Sequence, residues 1–76
     1  MTDRAEKINK ECLRLLSQER IIKGISHAKL SELTGLDRSY IGKLERGERR
    51  PTLEVMIRLS LALNIKLARL IEQAWK

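Results

Sequence analysis

The residues with the greatest chemical reach in this chain are cations gathered into one stretch, Arg38, Lys43, Arg46, Arg49 and Arg50, with the single histidine, His27, shortly before them. Arginines as crowded as Arg46, Arg49 and Arg50 repel one another unless something anionic lies close, so they point to binding of a polyanion. Covalent chemistry is not indicated. The chain has one His and one Cys (Cys12), no clustered metal-ligand spacing and no phosphate-cradling glycine loop. No combination of residues supplies a nucleophile together with its base and an orienting group. We therefore expect no enzyme, no cofactor and no metal, and no small-molecule ligand is evident.

The overall charge agrees with the local crowding. Sixteen Lys and Arg oppose ten Asp and Glu in 76 residues, a formal charge of +6, and the isoelectric point is near 10.0. That balance favours nucleic acid over an anionic membrane surface as the partner. A hydrophobic content of 42% provides one small core, hence a single domain over residues 1–76. The lone cysteine cannot close an intramolecular disulfide, so stability must come from helix packing or a partner subunit. There is no apolar run long enough for a membrane span and no basic segment leading into an apolar one, so a cytoplasmic protein is expected.

The elements that must position these cations read as helices. Alternation at period 2 is absent, and the breakers Gly24, Gly35, Gly47 and Pro51 fall singly, spaced as stops between helices. The expected fold is all-α, with helices over about 3–23, 27–34, 38–46, 52–63 and 66–75. Thr2 or Asp3 caps the first, which buries Ile8, Cys12, Leu15, Leu16 and Ile22 and stops at Gly24. Ser26 caps the second, which turns Ala28, Leu30, Ser31 and Leu33 inward and stops at Gly35. Asp37 caps the third, which buries Ile41 and Leu44 while Arg38, Ser39, Gly42, Lys43 and Arg46 face outward. Pro51 and Thr52 introduce the fourth, with Leu53, Met56, Ile57, Leu59 and Leu63 inward and Asn64 as its left-handed end. The fifth buries Leu67, Leu70 and Ile71.

Over residues 14–72, roughly four-fifths of the chain, a whole register matches a known pattern: Arg20, Gly24-Ile25-Ser26, Leu30, Leu33-Thr34-Gly35-Leu36, Ser39-Tyr40-Ile41, Leu44-Glu45-Arg46-Gly47, Arg50-Pro51-Thr52-Leu53-Glu54, and Leu59 through Ile71. It resembles the helix-turn-helix domain of the Xre/Cro group of phage and bacterial repressors, which includes restriction-modification controller-like proteins. The resemblance implies a compact five-helix lambda-repressor-like DNA-binding domain, here with an extended first helix. It also implies that the third helix lies in the major groove while the N-terminus of the second points at a phosphate. Gly35 sits where one short helix must reverse quickly into the next, a backbone conformation costly for a residue with a Cβ.

By that resemblance Arg38, Ser39 and Lys43 reach base edges, with His27 standing where the family most often has Gln. Arg38 is the strongest candidate, because a guanidinium bonds O6 and N7 of guanine together and such a contact discriminates bases by about 1–3 kcal/mol. Phosphate contacts fall to Ser26, Lys29, Tyr40, Arg46, Arg49 and Arg50, and Arg20 with Glu45 matches a structural ion pair of the family. Two positions depart from the pattern. His27 replaces the Gln that in the family bridges phosphate and base; a His still donates to a phosphate, and does so better when protonated. Lys29 replaces a Glu that would complete a capping box, a placement that opposes the helix dipole but suits a bound anion.

One short recognition helix reads too few base pairs for useful specificity, so a homodimer on an inverted repeat is expected. Leu61, at a position usually polar in relatives, could extend an apolar patch with Ile65, Ala68 and Trp75; the alternative for Trp75 is packing on the first helix. Residues 3–13 either pack along the body or pair across the dimer. The function expected is a sequence-specific regulator of transcription, a repressor or autoregulator acting on double-stranded DNA. The alternative is an antitoxin-like module whose main ligand is a protein partner. RNA ranks third, because its sequence-specific recognition commonly stacks bases on aromatics and this chain has only Tyr40 and Trp75.

Overall fold

Three hydroxyl or carboxylate caps decide where the helices begin. In a computed structural model that describes residues 3–75, Ser26 Oγ accepts from the Lys29 amide at 3.0 Å, Asp37 Oδ2 from Tyr40 at 3.3 Å and Thr52 Oγ1 from Val55 at 3.1 Å. Each satisfies an amide that the first turn would leave unpaired. The helices are α1 (Asp3–Ile22), α2 (His27–Thr34), α3 (Arg38–Glu45), α4 (Leu53–Ala62) and α5 (Leu67–Ala74), every bound within a residue of expectation. No strand occurs among the described residues. Thr2, one of the two candidate caps for α1, lies outside them, and Asp3 is already helical. α5 follows Lys66, which supplies no side-chain cap.

The stops are left-handed, as the breakers predict, with Gly24, Gly35, Gly47 and Asn64 all at positive φ. Gly35, at φ 77°, matters most, since its amide bonds Ser31 O and the chain turns from α2 into α3 within three residues.

α1 runs along α5 on one side and meets α3 on another, while α2 packs on both α3 and α4. The centre is Leu30, Ile41, Leu44 and Leu63, all but fully buried, surrounded by Cys12, Leu13, Leu16, Met56, Leu59, Leu70 and Ala74. Each such aliphatic side chain contributes roughly 1.5–3 kcal/mol as an upper estimate.

Several expected core positions lie elsewhere. Ile22, Ala28, Leu33, Leu53 and Ile57 are exposed, whereas Leu13, Thr34, Ser60 and Ala74 are buried. In α1 the cause is two neighbours on two sides, which bury adjacent Cys12 and Leu13 and leave Ile22 exposed at the end of the helix. Thr34 is buried because its hydroxyl donates to Leu30 O at 2.7 Å and accepts from the Leu36 amide at 3.1 Å, and Ser60 donates to Ile57 O at 2.9 Å. Polar residues with such local partners enter a core at little cost. Gly42, expected to face outward, is also buried, for a reason that concerns the site.

Candidate nucleic-acid interface

α3 is held from behind by apolar packing and at its C-terminal end by an ion-paired cluster. Arg20 of α1 places Nε 2.8 Å from Glu45 Oε2 and Nη2 3.0 Å from Oε1, a fork on a carboxylate, while its Nη1 donates to Ile25 O at 2.8 Å. Both side chains are about 15% exposed (14% and 16%), so the pair is partly desolvated and ties α1, the α1–α2 turn and α3 together. His27 joins it, with Nε2 2.9 Å from Glu45 Oε1. Partial burial pushes the Glu45 carboxyl upward, but the hydrogen bonds from Arg20 and then His27 outweigh it and hold the group below the usual carboxylate range.

The outer side of α3 forms one wall of an open cleft whose other wall is the start of α2. Ser26, His27, Arg38, Ser39, Gly42 and Arg46 line it. Arg38 and Ser39 are exposed in the first turn of α3, and Arg38 has no ion-pair partner among the described residues; the Asp37 carboxylate is engaged with the Tyr40 amide instead. Lys43 is half-buried one turn later and likewise unpaired. His27 lines the same cleft, yet its Nε2 faces Glu45, so only Nδ1 is free for another partner.

Arg46 is nearer the exposed face of α3 than its place after the helix suggests. A Cβ built on Gly42 would stand 3.1 Å from an Arg46 Nη, so the guanidinium folds back across α3 and covers the glycine. That fold explains the burial of Gly42. Glu48 holds Arg46 from the other side, with Nε to Oε2 at 2.9 Å. Their hydrogen bond raises the Arg46 guanidinium and lowers the Glu48 carboxyl.

The expected phosphate-binding residues divide by how they are held. Ser26 uses its hydroxyl oxygen as the α2 cap, and Lys29 Nζ lies 3.4 Å from Glu32 Oε1. Arg49 stacks over the Tyr40 ring at 5.7 Å, so half-buried Tyr40 positions a cation. Arg50 reaches Glu6 of α1, Nη2 to Oε2 at 2.7 Å. Sequence reasoning missed Glu6, Glu48 and Gly42. The i,i+2 spacing of Arg46 and Glu48 is visible in the sequence, whereas the 44-residue separation of Glu6 and Arg50 carries no local signal.

The four candidate interface residues do not converge. Leu61 and Ala68 are exposed and Ile65 is half-buried before α5, beside Ile22 in a groove against α1. Trp75 follows α5 at its other end, under Arg4 of α1 at 6.0 Å, in a cleft shared with Leu53. A different set does line up, Leu53, Ile57 and Leu61 at i, i+4 and i+8 along α4, with 67%, 41% and 74% exposure.

Cys12 offers no competing chemistry: burial pushes its thiol up, as does the neighbouring Glu11 charge. Among the described residues no group of His, Cys, Asp and Glu gathers as a metal site, and no helix is long and apolar enough to cross a membrane.

Comparison with known proteins converges on the same unit. Control protein C.SmaI of Serratia marcescens is 44% identical over 52 residues, which are 68% of this chain and 62% of that protein, so the chain spans about three-fifths of that relative's length. The crystal structure of the restriction-modification controller protein C.AhdI from Aeromonas hydrophila superposes with a TM-score of 0.74 at 40% identity, over 83% of this chain and 94% of that one. The family profile described as Helix-turn-helix matches residues 16–70, from the middle of α1 into α5. Because that match takes in most of the chain and the whole of α2, its glycine turn and α3, the chain belongs to the helix-turn-helix family, for which DNA is the implied partner.

Proposed function

We propose that the protein regulates transcription by binding a specific inverted-repeat operator as a homodimer, acting through DNA occupancy rather than catalysis. The observation that carries this reading is the cleft between α2 and α3. There Arg38 and Ser39 project from the first turn of a rigidly capped helix, beside Arg46 folded over Gly42. Arg38 reads a guanine, with Ser39, Lys43 and His27 at neighbouring base or phosphate positions. Ser26, Lys29, Tyr40, Arg46, Arg49 and Arg50 serve the backbone, Tyr40 by supporting Arg49. The likeness to a control protein and to a restriction-modification controller protein supports regulation as the role.

The exposed α4 stripe supports dimerisation, with Leu61 at its most open position joined by Leu53 and Ile57. Two copies related by a two-fold axis place their α3 helices in half-sites about one helical turn, some 10 base pairs, apart.

The test is selection of tight binders from a random pool of duplex DNA at physiological salt. Enrichment of an inverted repeat is the expected result. Recovery of only salt-sensitive, sequence-independent binding would overturn the reading and leave a protein partner as the main ligand.

A further inference from the structure

The first part of α1 lies outside the family match and carries a cationic stripe that the preceding reading does not use. Lys7, Lys10 and Arg14 recur at three- and four-residue spacing, so they share one face of α1, and all three are exposed. Like charges so placed repel. Arg14 is offset by Glu11, with a two-pronged contact at 2.8 Å on each oxygen. Lys7 and Lys10 have no carboxylate partner among the described residues.

Two further observations connect this stripe to the arginine-rich end of α3. Lys10 and Arg14 line a groove whose opposite wall is Leu44, Glu45, Arg46 and Gly47. Its one acid, Glu45, is already engaged by Arg20 and His27. The Glu6–Arg50 ion pair, one turn from Lys10 on α1, fastens the same helix to the loop after α3. Lys10 and Arg14 are therefore held in fixed register with Arg46 and Arg50, and Lys7 precedes them by one turn on the same face of α1.

We propose that Lys7 and Lys10 bind backbone phosphates of duplex DNA, extending the footprint of α3 and its following loop onto α1. The proposal rests on the DNA-binding reading above. Lys7 and Lys10 stand about 4.5 Å apart along the helix axis, close enough for their extended side chains to serve neighbouring phosphates. Lysine heads of this kind contact phosphate without reading bases, so the contribution is to affinity and not to specificity.

Binding of the operator recovered by the selection, and of an unrelated duplex, is measured from 50 to 200 mM salt for the wild type and two variants. Lys7→Gln/Lys10→Gln should weaken both duplexes by the same factor and reduce the slope of log affinity against log salt by about 1.8, which makes it about tenfold less salt-sensitive over that range. Lys66→Gln/Arg69→Gln removes the same charge beside a different face of α1, and its slope should stay near the wild type. Lys7→Arg/Lys10→Arg should restore the wild-type slope. An unchanged slope in the Gln variant, or an equal fall in both Gln variants, would overturn the proposal while operator binding stands. A wild type with no affinity for duplex DNA would instead sink the DNA-binding reading and this one together.

Discussion

At the scale of single residues, the proposed function assigns different roles to the cations around the α2–α3 cleft, and substitutions separate them. Arg38, at the first turn of α3, has no ion-pair partner among the described residues, so Arg38→Ala should cost roughly 1–3 kcal/mol on the operator and flatten the preference at one base pair. Arg49, stacked on Tyr40, should behave differently: Arg49→Ala weakens all sequences alike and lowers the salt slope by about 0.9. Equal effects of the two on random DNA would remove Arg38 from the base-reading set. Gly42 separates stability from binding. Replacing a helix-interior glycine with Ala gains about 0.5–1 kcal/mol, or a melting shift of roughly 2–8 °C in a domain of this size. The new Cβ displaces the Arg46 guanidinium, so Gly42→Ala should melt higher and bind the operator more weakly. Glu45 links the residue scale to pH. Its carboxyl is held below its ordinary value of 4.5, so its stabilising contribution is fully present above that pH and is lost as pH falls through the lower, folded value. Glu45→Gln should therefore destabilise the protein by about 1–3 kcal/mol at neutral pH, and the gap to the wild type should shrink in acid melts below about pH 4.5.

At the scale of elements, the turn between α2 and α3 fixes the angle between these two helices. Gly35 holds φ 77° with open space where a Cβ would stand, so the cost of a substitution there is torsional and not steric. Gly35→Ala should destabilise by about 1–2 kcal/mol and Gly35→Asn by less, as read by thermal melts, since Asn64 already takes a left-handed conformation in this chain. Equal losses from the two would point to a cause other than backbone torsion. The five helices were legible in the sequence because their limits are local: Ser26, Asp37 and Thr52 cap within three residues, and Gly35 or Asn64 ends a helix by its own backbone. Which faces are buried was less legible, because that depends on how many neighbours each helix acquires. Leu53 and Ile57 read as core by periodicity, yet α4 buries a neighbouring face through Met56, Leu59 and Leu63. The cations at Arg38 and Arg46 could be placed near the site from their positions at the start of α3 and just after its end. The partners that restrain them could not: Gly42 had to become a seat for Arg46, and Glu6 had to be brought to Arg50 by the packing of α1.

At the scale of the whole molecule, the distribution of apolar surface bears on assembly. The described chain closes its core around Leu30, Ile41, Leu44 and Leu63, yet it leaves Leu53, Ile57 and Leu61 in line on one helix, a stripe that water solvates poorly. A two-fold contact would set this stripe against its own copy and so bury each residue twice. Leu61 is the most exposed of the three, and its side chain makes no contribution to the core. Leu61→Glu would bring two carboxylates together at such a contact without disturbing the fold of either copy. The wild type should sediment at twice the chain mass of 8.8 kDa and the variant at that mass, with an unchanged melting profile for the isolated domain under dilute conditions. Operator binding should change in step, from joint occupation of both half-sites to independent, weaker occupation of each. An unchanged sedimentation mass would remove Leu61 from the interface and direct attention to the Leu53 end of the stripe, where a cleft with Trp75 lies against α1 and α5.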